Sequence, residues 1–304
     1  MPPERATILL TGATGFVGGQ LLTALAAAGP VRCLVRDASR LERLDGAVAV
    51  EADLEHVDSL RPALEGIDEV YYLVHSMEPG AGGDYATRDR RAAENYARIA
   101  RDCGIRRTIY LGGIRGGEQP SEHLRSRHEV ERILAGAADE LVAVRASMIV
   151  GARSASFRTL AEIVDRLPVL AFPTWRDRRT QPVGIDDVVA CLVAAREVPA
   201  GAYEIAGPDE LTFAEMTEVI AELLAVRRPS LPLPFSSARL EALAAATVTS
   251  GDRELLEPLM EGLHGDLLVR DNAIERVFGV RPATFREAAR RAIEQMDGVE
   301  PRAA

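Results

Sequence analysis

Residues 7–21 read Thr-Ile-Leu-Leu-Thr-Gly-Ala-Thr-Gly-Phe-Val-Gly-Gly-Gln-Leu. A short apolar run, residues 8–10, leads into a turn that holds Gly12, Gly15 and Gly18, and a helical pattern follows without a break. Glycines let backbone N–H groups approach a phosphate, and the start of a helix offers unpaired N–H donors to negative charge. This order of strand, glycine turn and helix predicts a site for the pyrophosphate of a dinucleotide. An ordinary glycine turn is the alternative.

The composition is that of a globular protein with one main core. The 304 residues are 47% hydrophobic and 27% charged, which suffices for an α/β core and a smaller appended region. A net charge of −10 argues against general nucleic-acid binding, because phosphates are neutralised by a basic face. Cys33, Cys103 and Cys191 are isolated, so we expect no metal site. Their scarcity, the lack of a signal-like start and the lack of a long apolar run predict a cytoplasmic protein.

Strand and helix patterns alternate along the first two thirds of the chain. Apolar runs at residues 31–35, 47–51, 70–74, 108–111 and 141–145 alternate with helical patterns such as 85–103 and 122–135. This rhythm predicts a doubly wound parallel sheet of the Rossmann type. We expect a dinucleotide-binding domain over residues 1–152, completed by about 180–206, and a smaller, mostly helical substrate-side region over 153–304. An apolar helix is expected at 238–249.

The residues expected to contact the cofactor follow the strand ends. In the glycine turn they are Gly12, Thr14, Gly15, Phe16 and Val17. Beyond the third strand, Asp53 is expected to bind the adenine amino group and Leu54 to cover the ring, although Asp53 can equally cap the next helix. Val74 and His75 follow the fourth strand, where a doubly wound sheet places the ribose and nicotinamide.

Cofactor choice depends on the end of the second strand. An acid there receives a ribose 2′-hydroxyl, whereas an arginine accommodates a 2′-phosphate. Arg36 stands at this strand end, with Arg40 shortly after it, so we expect NADP. NAD stays open because Asp37 can turn towards the ribose. The alternative is that Arg36 is solvated and Asp37 caps the next helix.

The glycine turn resembles that of extended and atypical short-chain dehydrogenases/reductases. Four segments carry the resemblance: 11–18 (Thr-Gly-Ala-Thr-Gly-Phe-Val-Gly), 73–75 (Leu-Val-His), 110–113 (Tyr-Leu-Gly-Gly) and 181–187 (Gln-Pro-Val-Gly-Ile-Asp-Asp). It covers roughly residues 5–225 and implies an NAD(P)-dependent oxidoreductase. The family uses a serine, a tyrosine and a lysine. Here the serine position falls on Gly112 or Gly113, and the Tyr-x-x-x-Lys positions fall on His123 and Arg127.

The catalytic candidates are therefore His123 and Arg127. A histidine can transfer a proton, whereas an arginine stays charged and can hold the cofactor ribose. The alternative for His123 is a surface histidine beside a helix start. Arg145, Trp175 and the arginines of 176–179 are candidates for an acidic substrate, or else solvated.

The function expected from the resemblance is an NADP-dependent reduction of a small organic molecule with a carbonyl, an imine or a conjugated double bond. Its partner is a small-molecule substrate, with no nucleic acid and no membrane insertion. A sugar-nucleotide epimerase is less favoured, because its chemistry uses the missing tyrosine. The alternative from another class is a redox sensor or scaffold protein that binds NADP without turnover.

Overall fold

The computed structural model describes residues 7–75, 85–115, 121–172, 174–232 and 265–296. Its centre is a parallel sheet with the strand order β3-β2-β1-β4-β5-β6-β7. The strands are β1 (Ile8–Thr11), β2 (Val31–Val35), β3 (Ala47–Glu51), β4 (Glu69–Tyr72), β5 (Arg107–Gly113), β6 (Glu140–Ala146) and β7 (Gly201–Ile205). The order reverses between β1 and β4, which is where doubly wound sheets bind ligands beyond their carboxyl ends. The predicted fold class is confirmed.

Helices cover both faces of the sheet. The α-helices of the described residues are α1 (Phe16–Ala26), α2 (Leu60–Leu64), α3 (Tyr85–Cys103), α4 (Glu122–Leu134), α5 (Ala155–Arg166), α6 (Ile185–Ala194), α7 (Phe213–Leu223) and α8 (Phe285–Glu294). On one face α1 packs against α6, and on the other α3 packs against α2 and α4. Each face has its own buried apolar cluster, because the strands are apolar on both sides. No helix within these residues is long and apolar enough to cross a membrane.

A third apolar cluster lies beside the carboxyl edge of the sheet. It joins α5, α7 and α8 through the buried rings of Phe157, Phe213 and Phe285. Short strand pairs connect it to the sheet: Ile149–Val150 with Val183–Gly184, Arg179–Thr180 with Leu211–Thr212, and Leu170–Phe172 with Ser230–Pro232. Between α6 and α7 the chain returns to the sheet as β7. The domain boundary near residue 152 stays a prediction, and the expected helix at 238–249 lies outside the described residues.

Helix starts show where local sequence signals suffice. Thr212 and Glu215, three residues apart, predict a capping box, and both of its hydrogen bonds are present at the start of α7. Asp186 and Asp187 predict the cap of a helix from residue 188, but this is wrong, because α6 already begins at Ile185 behind Gly184. Asp187 instead accepts a hydrogen bond from the backbone N–H of Ala283, 96 residues away. Burial raises the pKa of this carboxyl.

Candidate functional site

The glycine turn between β1 and α1 admits no side chain at two positions. Gly12 has a φ of +71°, and a Cβ there would lie 2.9 Å from the carbonyl oxygen of Leu73. A Cβ at Gly18 would lie 2.0 Å from the carbonyl oxygen of Gly12, which is far inside van der Waals contact. These two glycines therefore allow the turn to fold back against both the neighbouring strand end and the first turn of α1.

The start of α1 is left open for an anion. Its N-cap residue is Gly15, which has no side chain to cap the helix, and its first turn contains no acidic residue. The first N–H groups of a helix have no partner within it, and the helix dipole favours negative charge there. The turn therefore fits a pyrophosphate, as the sequence predicted.

A cavity of about 510 Å³ adjoins this turn at the carboxyl edge of the sheet. It is bounded by the glycine turn, the ends of β4, β5 and β6, the start of α4, and residues 146–163. Most of its lining is apolar, and within the described residues no carboxylate contributes to it. Its charged side chains are Arg127 and Arg153. Phe16 and Val17 line it as well, and Phe16 packs so closely on Gly151 that a Cβ there would lie 2.7 Å from the ring.

Two histidines and one arginine meet at this cavity. Their spacing of four residues predicts that His123 and Arg127 share one face of α4, and the hydrogen bond from Arg127 Nε to His123 Nε2, 3.0 Å long, confirms it. Arg127 Nη1 lies 2.6 Å from Nε2 of His75, which follows β4. The Tyr110 hydroxyl donates to the carbonyl oxygen of Arg127 and holds α4 against β5. The structure thus brings His75, predicted as a cofactor contact, together with the catalytic candidates His123 and Arg127.

The arginine determines which nitrogen of His123 carries the proton. A guanidinium only donates hydrogen bonds, so Nε2 of His123 accepts and the ring proton lies on Nδ1. Burial, then the charge of Arg127, lowers the pKa of His123 well below 6.5. Burial, followed by Arg127, also lowers the pKa of His75. His123 lines the cavity, and its Nδ1–H has no hydrogen-bond partner among the described residues.

Acid should destabilise the protein through these histidines. The unfolded chain binds protons at their ordinary pKa near 6.5, whereas the native state does not, so their contribution is complete above pH 6.5 and is lost as the pH falls below it. We expect at most about 1.4 kcal/mol per pH unit for each ring. Urea unfolding of native protein and His123→Gln between pH 7.5 and 5.0 measures this loss. Equal slopes for the two proteins would show that His123 is protonated in the native state.

The residues predicted to contact the 2′-phosphate and the adenine follow β2 and β3, and they differ in their exposure and hydrogen bonds. Arg36 is exposed at the carboxyl end of β2. Asp37 accepts hydrogen bonds from the N–H and hydroxyl of Ser39, which lower its pKa, so the capping alternative describes its position. Asp53 likewise accepts from the Glu55 N–H and pairs with His56, while its side chain remains 35% exposed.

Three further residues predicted to contact the cofactor differ in their burial. Leu54 is buried in the apolar cluster of the α3 face, and its contact with adenine stays a prediction. The backbone carbonyl of Leu54 accepts from the Asn95 side chain on α3, which holds it there. Val74 is half-buried against the same cluster, and Thr14 is exposed at the glycine turn.

The candidates for an acidic substrate change as well. Arg145 is buried and forms a bidentate ion pair with Glu131. It is therefore neither solvated nor available to a substrate, and both interpretations of it are wrong. Arg179 pairs with Glu210. The Trp175 side chain lies outside the part of the structure that is described. Sequence reasoning missed Arg153, which is exposed, lines the cavity and has no hydrogen bond or ion pair within the described residues.

The lysine of the resembled family has no counterpart in this sequence. Every one of the 36 basic residues is arginine, a simple sequence signal that excludes the lysine anywhere in the chain. None of the six tyrosines lines the cavity as it is described. A Cβ at Gly113 would lie 2.6 Å from Leu124 Cδ2, so the leucine side chain fills the space of a serine.

Comparisons with known proteins support nucleotide binding by the first half of the chain. Residues 12–149 match the model of an NAD(P)H-binding family. A reductase of (4-alkanoyl-5-oxo-2,5-dihydrofuran-3-yl)methyl phosphate from Streptomyces griseus is 28% identical over 84% of this chain and 85% of its own. A mitochondrial NADH dehydrogenase alpha subcomplex subunit 9 from Arabidopsis thaliana is 27% identical over 87% of this chain and 71% of its own.

Solved structures share the fold at low sequence identity. A nucleoside-diphosphate-sugar epimerase from Staphylococcus aureus superposes with a TM-score of 0.75 at 17% identity, covering 93% of this chain and 99% of its own. An NADPH-dependent quinone oxidoreductase from Escherichia coli, solved with NADPH, gives 0.74 at 18%, covering 93% and 98%. The prediction of an NAD(P)-binding domain is confirmed for residues 12–149, and the solved epimerase and oxidoreductase structures share its fold.

Proposed function

We propose that this chain, with its NAD(P)-binding domain of the atypical short-chain dehydrogenase/reductase type, is an NADP-dependent reductase. Its acceptor is a small organic molecule with a carbonyl, an imine or a conjugated double bond. The observation that carries the proposal is the placement of His123, which lines a mostly apolar cavity next to the glycine turn and accepts from Arg127 through Nε2, so that its ring proton lies on Nδ1. A hydrogen-bond donor in such a cavity is what an acceptor needs where negative charge develops.

In this proposal the glycine turn, Arg127 and His123 have separate roles. The glycine turn and the start of α1 would hold the pyrophosphate, and Arg127 would lie over the ribose. When bound, NADPH supplies the hydride. The mostly apolar lining lowers the local dielectric constant, which strengthens hydrogen bonds inside the cavity. His123 donates from Nδ1 to the acceptor oxygen or nitrogen and stabilises its negative charge. Because this ring is neutral, the proton that completes the product comes from solvent.

Relatives support reduction as the activity. The Streptomyces griseus relative is named as a reductase and aligns with most of this chain, and the Escherichia coli structure is a quinone oxidoreductase with NADPH. The test is oxidation of NADPH, followed at 340 nm, with a panel of quinones, enones, aldehydes and imines. Turnover of at least one acceptor, at a rate that His123→Gln lowers, supports the reductase. No turnover across the panel, with NADPH bound tightly, contradicts it.

A non-catalytic NADP-binding sensor or scaffold is the second candidate. The observation that favours it is the lack of a tyrosine and a lysine at the described cavity. The Arabidopsis relative is named as a subunit of a larger complex, which fits the same idea. Tight NADPH binding without turnover in the panel above would make this candidate the better one.

Cofactor choice gives a prediction for Arg36. Arg36→Ala should weaken NADPH binding by about 1.5–3 kcal/mol, the range for a hydrogen bond to a charged group, and leave NADH nearly unchanged. Isothermal titration with both cofactors measures this, and Arg43→Ala, at another exposed arginine seven residues along the chain, serves as the control. Equal losses of NADPH and NADH affinity would show that Arg36 does not contact the 2′-phosphate.

The charge of the cavity gives a prediction about acceptors. With Arg127 and Arg153 in the described lining and no carboxylate, the cavity favours neutral or anionic acceptors. Arg153→Ala should lower kcat/KM for 1,4-naphthoquinone-2-sulfonate roughly twofold to fivefold, because exposed ion pairs contribute about 1 kcal/mol or less. The rate with unsubstituted 1,4-naphthoquinone should not change. Equal losses for both quinones would remove Arg153 as the anion contact.

A further inference from the structure

We propose that Asp89 and His75 are positioning residues, which hold Arg127 and thereby fix the proton of His123 on Nδ1. The four side chains form a continuous chain from α3 through the end of β4 to α4. Asp89 is 5% exposed, and its Oδ2 lies 3.8 Å from Nδ1 of His75. Arg127 then contacts His75 through Nη1 and His123 through Nε. That this chain serves a reduction rests on the proposed function, whereas the arrangement of protons does not.

The proton of His75 has two possible positions with different consequences. Its Nε2 lies 2.6 Å from Arg127 Nη1 and 3.3 Å from the carbonyl oxygen of Leu111. A guanidinium only donates and a carbonyl oxygen only accepts, so one nitrogen cannot serve both. A proton on Nδ1 lets Nε2 accept from Arg127. A proton on Nε2 satisfies Leu111 and turns an N–H towards the buried cation.

Asp89 selects between these two positions. A carboxylate beside Nδ1 favours the proton on that nitrogen, because the N–H then points at negative charge. Nδ1 of His75 is buried and has no hydrogen bond within the described residues. The distance of 3.8 Å exceeds that of a hydrogen bond, so Asp89 acts here through its charge. Such contacts often tighten once a site is filled.

The same carboxylate supports the arginine. Burial lowers the pKa of Arg127, and the negative charge of Asp89 partly offsets that effect. With Nη1 held by His75, the guanidinium presents Nε to His123, whose own proton must then lie on Nδ1, towards the cavity. Asp89 is not among the residues that line the cavity, so it acts only through its neighbours.

The test is nitrogen NMR of the full-length protein with ¹⁵N-labelled histidine, without cofactor, at pH 7.5. The chain has five histidines, which His→Gln variants assign. Long-range couplings distinguish Nδ1–H from Nε2–H in a neutral imidazole. We expect Nδ1–H for both His75 and His123 in the native protein. Nε2–H on either ring would overturn the proposal, and apart from the variants used for assignment this measurement needs only the native protein, without an acceptor.

Variants separate positioning from a general structural role. Asp89→Asn should shift His75 towards Nε2–H and lower kcat about 10- to 100-fold, the range for residues that orient a functional group from behind. Asp102→Asn, at an exposed carboxylate on the same helix, is the matched control and should change neither. In a His75→Gln protein the amide oxygen accepts from Arg127 whatever Asp89 does, so adding Asp89→Asn should cost clearly less than it does in the native protein.

The outcomes distinguish the two proposals. Unchanged tautomers in a folded Asp89→Asn protein would overturn the positioning role, as would a full further loss of rate in the His75→Gln background. A shift of His75 to Nε2–H together with no acceptor reduced by the native protein would leave the proton arrangement correct. The proposed reductase would then be the part that fails.

Discussion

Replacing His123 by glutamine is expected to lower kcat by about 10²–10³-fold while NADPH binds with nearly native affinity. This is the usual cost of removing one hydrogen-bond donor from the place where negative charge develops. Burial and Arg127 lower the pKa of His123, so its imidazolium is not the species at neutral pH, and loss of an N–H donor sets the scale. The glutamine oxygen still accepts from Arg127 Nε, which keeps the buried cation paired. Single-turnover kinetics and NADPH titration measure the two effects.

The matched variant is His123→Asn. An asparagine amide places its donor near the position of Nδ1 but no longer reaches Arg127, so it is expected to recover part of the rate and to lose stability. Recovery by asparagine and not by glutamine is the signature of a donor at Nδ1. A native rate in His123→Gln would show that the acceptor is stabilised by another group.

Replacing Gly15 by aspartate is expected to lower NADPH affinity by at least about 10³-fold without unfolding the protein. Like charges in contact cost several kcal/mol, and the new carboxylate would meet the pyrophosphate. Gly15 has an extended backbone at the N-cap of α1, and a Cβ there would lie 3.2 Å from the Gly12 oxygen, a tight contact that a small shift relieves. Aspartate is itself a good N-cap residue, so it would take the N–H groups that the phosphate needs.

Two other glycine-turn variants separate charge from shape. Gly15→Asn caps the helix without a charge, and its loss of NADPH affinity should be clearly smaller than that of aspartate. Gly18→Ala should lower the free energy of unfolding, because its Cβ would lie 2.0 Å from the Gly12 carbonyl oxygen. Thermal unfolding and nucleotide titration measure both. Native NADPH affinity in a folded Gly15→Asp protein would exclude the glycine turn as the pyrophosphate site.

Local sequence determined the architecture. The order of β1, glycine turn and α1 within residues 8–26, and the alternation that follows, predicted a doubly wound sheet, which the strand order shows. Thr212 and Glu215 predicted their capping box because both partners lie within four residues. The spacing of His123 and Arg127 placed them on one helix face for the same reason. In each case the interacting groups are neighbours along the chain, so backbone geometry alone brings them together.

Only the tertiary structure decided what these residues do. Arg145 is paired because Glu131 on α4 lies over β6, and Leu54 is buried because α3 covers it. His75 meets Arg127 across 52 residues because parallel strands end at one edge of the sheet, and Asp89 joins them from a third element. The proton positions of both histidines then follow from burial and from a neighbouring cation, neither of which a linear sequence specifies. Long-range contacts set the chemistry of this site because charge and desolvation act through space.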